Sequence, residues 1–120
     1  MRILIVDDVK DFRSLTRLIL ERNEFAVDEA NDIDEAIKIL EGAEAPFDLI
    51  MLDLQLDDID TTEFIPTLKE YCSIVCCVTG NYNQNDLELA TKMGANCVLN
   101  KPLSYWMLAH QVDEIIGQAG

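Results

Sequence analysis

Four apolar runs in this chain end on residues able to do chemistry. Ile3-Leu4-Ile5-Val6 runs into Asp7-Asp8, Leu49-Ile50-Met51-Leu52 into Asp53, Ile74 to Val78 into Thr79-Gly80, and Cys97-Val98-Leu99 into Asn100-Lys101-Pro102. Three carboxylates brought to one place repel, so that at least one would hold its proton above the usual range. A hard divalent cation relieves this: Mg2+ accepts one or two carboxylates, keeps several waters and completes its octahedron with phosphate oxygen. Lys101 would add a point positive charge suited to phosphate, and Thr79 a hydroxyl donor. A carboxylate facing a cation, a lysine and a hydroxyl is placed to attack a phosphoryl group and form an aspartyl phosphate. The cation and the lysine would stabilise charge on the equatorial oxygens. No Gly-rich phosphate loop occurs, so a bound nucleotide is not indicated. Each piece alone has a plainer meaning: Asp-Asp as a helix cap, Lys-Pro and Thr-Gly as turns. Their common position at the ends of apolar runs is what makes the set informative.

The elements that must position them follow from the apolar pattern. Runs with no alternation suit strands buried on both faces, as in a parallel sheet covered by helices. The expected strands are residues 2–6, 25–29, 49–53, 73–78 and 97–99, the second shorter and more polar, as suits a sheet edge. Between them the period becomes helical. Phe12, Leu15, Leu18 and Ile19 share one face of a helix from Val9 to about Asn23, and Asp32 with Glu35 resembles a capping box for a helix stopping at Gly42. Asp60-Thr61-Thr62-Glu63 is a second capping signature, with Pro66 in or just after the first turn of a helix to about Tyr71. Residues 81–85 suit a loop, Leu87, Ala90 and Met93 a short helix ending at Gly94, and Ser104 a cap for the last helix. The expected fold is α/β: a doubly wound five-stranded parallel sheet with five helices on both faces and right-handed crossovers. Strand order 2-1-3-4-5 puts the switch point between strands 1 and 3, so Asp7, Asp8 and Asp53 would meet across the crevice where such sheets bind ligands.

Composition narrows the partners. The chain has 120 residues, enough for one domain, here expected over 1–117 with a frayed tail at 118–120. Its 23 acidic against 9 basic residues give a net charge of −14, which disfavours direct contact with nucleic acid or an anionic membrane. Met1 leads straight into an apolar strand with no basic lead or cleavage site, so no signal peptide is expected, and no run reaches membrane-spanning length. Cys72, Cys76, Cys77 and Cys97 form no C-x-x-C pair and are expected as buried thiols, which implies a cytoplasmic location. The lone His110 is expected to be structural.

With these residues in place, the chain resembles the receiver domain of two-component response regulators over essentially its whole length. The resemblance rests on Ile3 to Asp8 as the opening strand with its acidic pair, and on Asp48 to Asp53 as the phosphoacceptor strand. Val78-Thr79-Gly80 matches the switch hydroxyl and Lys101-Pro102-Leu103 the lysine turn. It implies a flavodoxin-like, CheY-like fold in which Asp53 takes a phosphoryl group from a sensor histidine kinase, a phosphotransfer protein or a small phosphodonor. It also implies that Asp8, Asp53 and the backbone carbonyl of Gln55 bind Mg2+, with Asp7 acting through water, and that the bond before Pro102 is cis. Output would pass by protein–protein contact to a downstream target or a C-terminal effector domain, and a homodimer is compatible with it. Catalysis would be confined to the domain's own phosphoryl transfer and dephosphorylation, so an enzyme in the ordinary sense is not expected.

Two departures qualify the resemblance. The family usually carries Tyr or Phe three residues before the lysine, and here that position is Val98, with Tyr82, Tyr105 or Trp106 as candidate substitutes. The family often has Met-Pro and Asp-Gly after the phosphoacceptor, where this chain has Leu56-Asp57 and Asp60-Thr61, expected as a solvated acidic loop. An alternative is therefore a receiver-like interaction module with weakened or lost switching. A phosphohydrolase with an Asp nucleophile ranks behind both, because it would want a carboxylate where Gln55 stands.

Overall fold

The computed structural model describes residues 1–56, 59–80 and 84–119. Five strands, β1 (Arg2–Val6), β2 (Ala26–Ala30), β3 (Leu49–Asp53), β4 (Val75–Thr79) and β5 (Cys97–Asn100), form one sheet in the order β2-β1-β3-β4-β5. All four pairings are parallel. The helices are α1 (Lys10–Arg22), α2 (Ile33–Gly42), α3 (Ile65–Tyr71, led by a 3-10 turn over Thr62–Phe64), α4 (Gln84–Lys92) and α5 (Tyr105–Ala119). No helix among the described residues is long and apolar enough to cross a membrane.

Apolar runs become strands here because each has two faces to bury. Ile3, Ile5, Leu49, Met51, Cys76 and Val78 point to one layer with Leu20 of α1 and Leu108 and Val112 of α5. Leu4, Val6, Ile50, Leu52, Val75 and Cys77 point to the other, against Ala36, Leu40, Leu68 and Ala90 of α2, α3 and α4. Alternation along a pleated strand therefore serves two cores at once, and neither face has room for polar residues. β2 is more polar because it is an edge, with Arg2 of β1 bridging to Asp28 at its middle.

Local signals are realised with some changes. Asp32 caps α2 by accepting the Glu35 N–H at 2.8 Å. Gly42, however, is the last helical residue, and the extended Ala43 (φ −71°, ψ 129°) ends the helix. Gly94 does take the left-handed conformation, at φ 112°, after α4. Gly117 does not break the chain's last helix, which continues to Ala119, beyond the expected domain edge; a glycine so close to a helix end costs little.

The expected acidic loop after Asp53 contains a short antiparallel pairing. Gln55–Leu56 pairs antiparallel with Ile59–Asp60, because Leu56 is buried beneath it and Asp60 accepts hydrogen bonds from Thr62. Asp57, Asp58 and Tyr82 lie outside the described residues, as do 81–83 of the expected loop. The expectation of four thiols also needs correction. Cys72 and Cys77 are buried and free, but Cys76 and Cys97 form a disulfide, since they are direct register partners on β4 and β5 with side chains on one sheet face.

Candidate functional site

β1 and β3 are neighbours in register, Val6 opposite Leu52, so their following carboxylates emerge side by side. β4 joins β3 with Asp53 opposite Val78, and β5 joins β4 with Thr79 opposite Asn100. The C-terminal ends of four strands thus deliver Asp7, Asp8, Asp53, Thr79 and Lys101 to one rim. Asp53, Gln55, Thr79, Gly80 and Lys101 line an open surface pocket there. His110 lies away from the site on α5, exposed and 3.1 Å from Glu114.

Lys101 ties the carboxylates together. Its Nζ donates to Asp7 Oδ2 at 2.7 Å and to Asp53 Oδ2 at 3.2 Å, and lies 4.3 Å from the centroid of the Phe12 ring. The Lys101 N–H donates to the Thr79 carbonyl at 2.9 Å, fixing the turn against β4, and the Lys101–Pro102 bond is cis. Burial works against the ammonium charge, but the hydrogen bond to Asp7 and the charges of Asp53 and Asp7 outweigh it and raise its pKa.

Asp7 is almost wholly buried, at 1% exposure. Its Oδ1 accepts the Val9 N–H at 2.8 Å, so the carboxylate serves the turn into α1 as well as the rim. Asp53 is 9% exposed; its Oδ1 accepts the Gln55 N–H at 3.0 Å. Burial raises the Asp53 pKa, the Gln55 N–H and Lys101 oppose this, and the Asp7 charge adds to it. One carboxylate oxygen each from Asp7, Asp8 and Asp53 can lie within 4.8 Å of the others. Such an all-oxygen donor set suits a hard cation such as Mg2+, which would remove the repulsion that Lys101 only partly offsets.

Supporting residues appear that no sequence signal singled out. Arg13 donates from Nη1 to the Asp7 carbonyl at 2.6 Å and from Nε to Glu29 at 3.1 Å, so the acidic pair is backed by a guanidinium held from β2. The Thr61 hydroxyl donates to the Asp53 carbonyl at 2.7 Å in a buried bond, and the Thr61 N–H donates to the Leu54 carbonyl at 2.9 Å. Thr61 looked like part of a helix cap and Phe12 like core; only their tertiary partners reveal the second task.

Val98, Tyr105 and Trp106 lie in three different surroundings. Val98 is partly buried in the layer with α2, α3 and α4. Tyr105 packs in the opposite layer with Cys97 and Leu99, because successive β5 side chains alternate faces. Trp106 is 88% exposed.

Comparison with known proteins identifies a family and a fold. The family model for the response regulator receiver domain matches residues 3–113. The chain is 45% identical over 69 residues to the transcriptional regulatory protein ResD of Bacillus subtilis, covering 58% of this chain and 28% of that protein. It is 35% identical over 101 residues to the KDP operon transcriptional regulatory protein KdpE of Escherichia coli, covering 83% and 44%. The chain thus spans less than half the length of these curated relatives. Among solved structures, a CheY-like receiver domain protein from Methanospirillum hungatei superposes with a TM-score of 0.88 at 26% identity, over 98% of this chain and 94% of that one. A two-component response regulator from Clostridium difficile superposes with a TM-score of 0.89 at 26% identity, over 98% and 97%.

Proposed function

The chain belongs to the response regulator receiver domain family, and from that membership we propose that Asp53 accepts a phosphoryl group and switches the protein's contacts. The observation that carries the reading is Lys101 Nζ held at once on Asp7 and Asp53, at the strand ends where Asp8 and Thr79 also stand. The donor is proposed to be a phosphohistidine on a sensor histidine kinase or phosphotransfer protein, or a small phosphodonor.

An Asp53 carboxylate oxygen attacks phosphorus as the bond to the donor breaks, and the departing imidazole keeps its bonding pair and takes up a proton. Lys101 keeps its Asp7 partner while its remaining N–H groups turn to the phosphoryl oxygens, and the Thr79 hydroxyl donates to another. The Gln55 N–H orients the Asp53 carboxylate, and Thr61 steadies the backbone behind it. Asp7, Asp8, Asp53 and the Gln55 carbonyl would hold Mg2+, with Asp7 acting through water. When bound, that ion neutralises charge on the carboxylates and on the incoming phosphoryl oxygens. Residues 1–117 are proposed as the unit that carries this chemistry, in the cytoplasm. Output is proposed to pass to a downstream protein or an effector domain, with or without homodimer formation.

Intact-mass spectrometry after incubation with Mg2+ and acetyl phosphate tests this. One phosphoryl adduct is expected, absent in Asp53→Asn and without the metal. No adduct in a folded protein that binds Mg2+, using either acetyl phosphate or a phosphorylated histidine donor, would remove the phosphoacceptor reading.

A further inference from the structure

Cys76 and Cys97 serve no part of the chemistry above, yet their placement is specific. They are direct register partners on adjacent parallel strands, with Cα atoms 4.8 Å apart, inside the span that a disulfide bridges. Both side chains face the layer of α1 and α5. Cys72 and Cys77 lie in the opposite layer, across the sheet, where neither can reach this pair.

Access to the pair is one-sided. Cys76 is 1% exposed, whereas Cys97 is only partly buried and lines a surface groove with Asn96, Ile115 and Gln118. A small reagent therefore meets Cys97 first. The strand that carries Cys97 is a sheet edge, hydrogen-bonded to β4 alone, and its residues 98–100 lead into Lys101. A covalent tie at Cys76–Cys97 holds this edge to the strand that ends in Thr79.

We propose that Cys76 and Cys97 form a reversible redox site, oxidised by exchange with a low-molecular-weight disulfide entering at Cys97, which locks β5 onto β4. The Cys97 thiolate attacks one sulfur of the small disulfide, forming a mixed disulfide and releasing one thiolate, which takes up a proton. Cys76 then attacks Cys97 Sγ and its proton passes to the departing thiolate, closing the protein disulfide and releasing the second small thiol. The protein loses two thiol hydrogens, and the small disulfide is reduced to two thiols. Dithiothreitol reverses the sequence.

The test uses the full chain, reduced and then exposed to glutathione disulfide, with unreacted thiols alkylated after unfolding and peptides mapped without reduction. The expected product links Cys76 to Cys97 and leaves Cys72 and Cys77 alkylated. Amide hydrogen exchange over residues 98–100 should be roughly tenfold or more slower in the oxidised form, because a crosslink opposes local opening of an edge strand. Cys76→Ser should stop at a glutathione adduct on Cys97, and Cys97→Ser should take no adduct; circular dichroism checks that both variants fold, with Cys→Ala replacements made if either does not. Four alkylated cysteines in the native chain, a linkage involving Cys72 or Cys77, an adduct on the Cys97 variant, or equal exchange in the two forms would overturn the proposal. None of these outcomes depends on phosphoryl transfer at Asp53.

Discussion

Replacing Asp53 with Asn should stabilise the protein in metal-free buffer even as it removes the proposed phosphoacceptor. Oxygens of Asp7, Asp8 and Asp53 can lie within 4.8 Å of one another. At an effective dielectric constant of about 20, each such pair of charges repels by roughly 3 kcal/mol. The Lys101 ammonium, 3.2 Å from Asp53, attracts it by roughly 5 kcal/mol on the same scale. The neutral isostere thus removes two repulsions and one attraction, for a net gain of about 1–2 kcal/mol. Lys101 is not orphaned, because Asp7 holds it at 2.7 Å, and the Asn carbonyl oxygen can still accept the Gln55 N–H. In thermal denaturation followed by circular dichroism with a chelator present, the variant should melt roughly 4–8 °C above the native protein. Mg2+ at about ten times its Kd should add about 1.4 kcal/mol to the native protein. The variant should gain less, having lost a charged donor. A variant that melts lower without metal would show that the Lys101 attraction exceeds the crowding of carboxylates, and the reasoning that calls for a cation would fail.

The same crowding has a pH signature. Burial raises the Asp53 pKa in the folded state, so this group's contribution to stability is fully present below the unfolded carboxylate value and is lost as pH rises through the raised folded value. In metal-free urea titrations across pH, the advantage of Asp53→Asn should therefore shrink as pH falls through that window. Arg13→Gln should destabilise by about 2 kcal/mol in urea denaturation, because the Asp7 carbonyl and Glu29 lose a charged donor, while Arg17 at 2.9 Å keeps Glu29 from being left unpaired. Gly94→Ala should cost about 1–2 kcal/mol by the same assay. Its φ is 112°, and the new Cβ would stand 3.0 Å from Lys69 Cδ, whose ammonium is pinned to the Gly94 carbonyl at 2.7 Å.

Much of the architecture was legible in the chain itself. A run such as Leu49 to Leu52 has no polar face, so it must sit in a sheet covered on both sides, and the alternation of such runs with helical periods leaves few topologies. Asp7, Asp8, Asp53, Thr79 and Lys101 could be named because each lies within two residues of the end of such a run, and strand ends in a parallel sheet share one rim. Short-range signals were right where one residue suffices, as with the Asp32 cap and the left-handed Gly94. They erred at Gly42 and Gly117, which remain helical because a glycine within the last turn of a helix costs little.

What tertiary structure alone decided concerns pairs distant in sequence, whose meeting depends on register and facing. Thr61 reaches the Asp53 carbonyl, Arg13 the Asp7 carbonyl, and Phe12 the Lys101 ammonium, yet each carries only a local signal of cap, charge or core. Val98 of β5 and Tyr105 of α5 fall in opposite layers, because α5 covers the face of the sheet that Val98 does not. Cys76 and Cys97 are 21 residues apart, and a slip of one residue in the β4–β5 pairing would send one of them through the sheet to the other layer. Composition and periodicity name the faces a strand must bury, but the partner across the strand is set by the register that satisfies all the faces together.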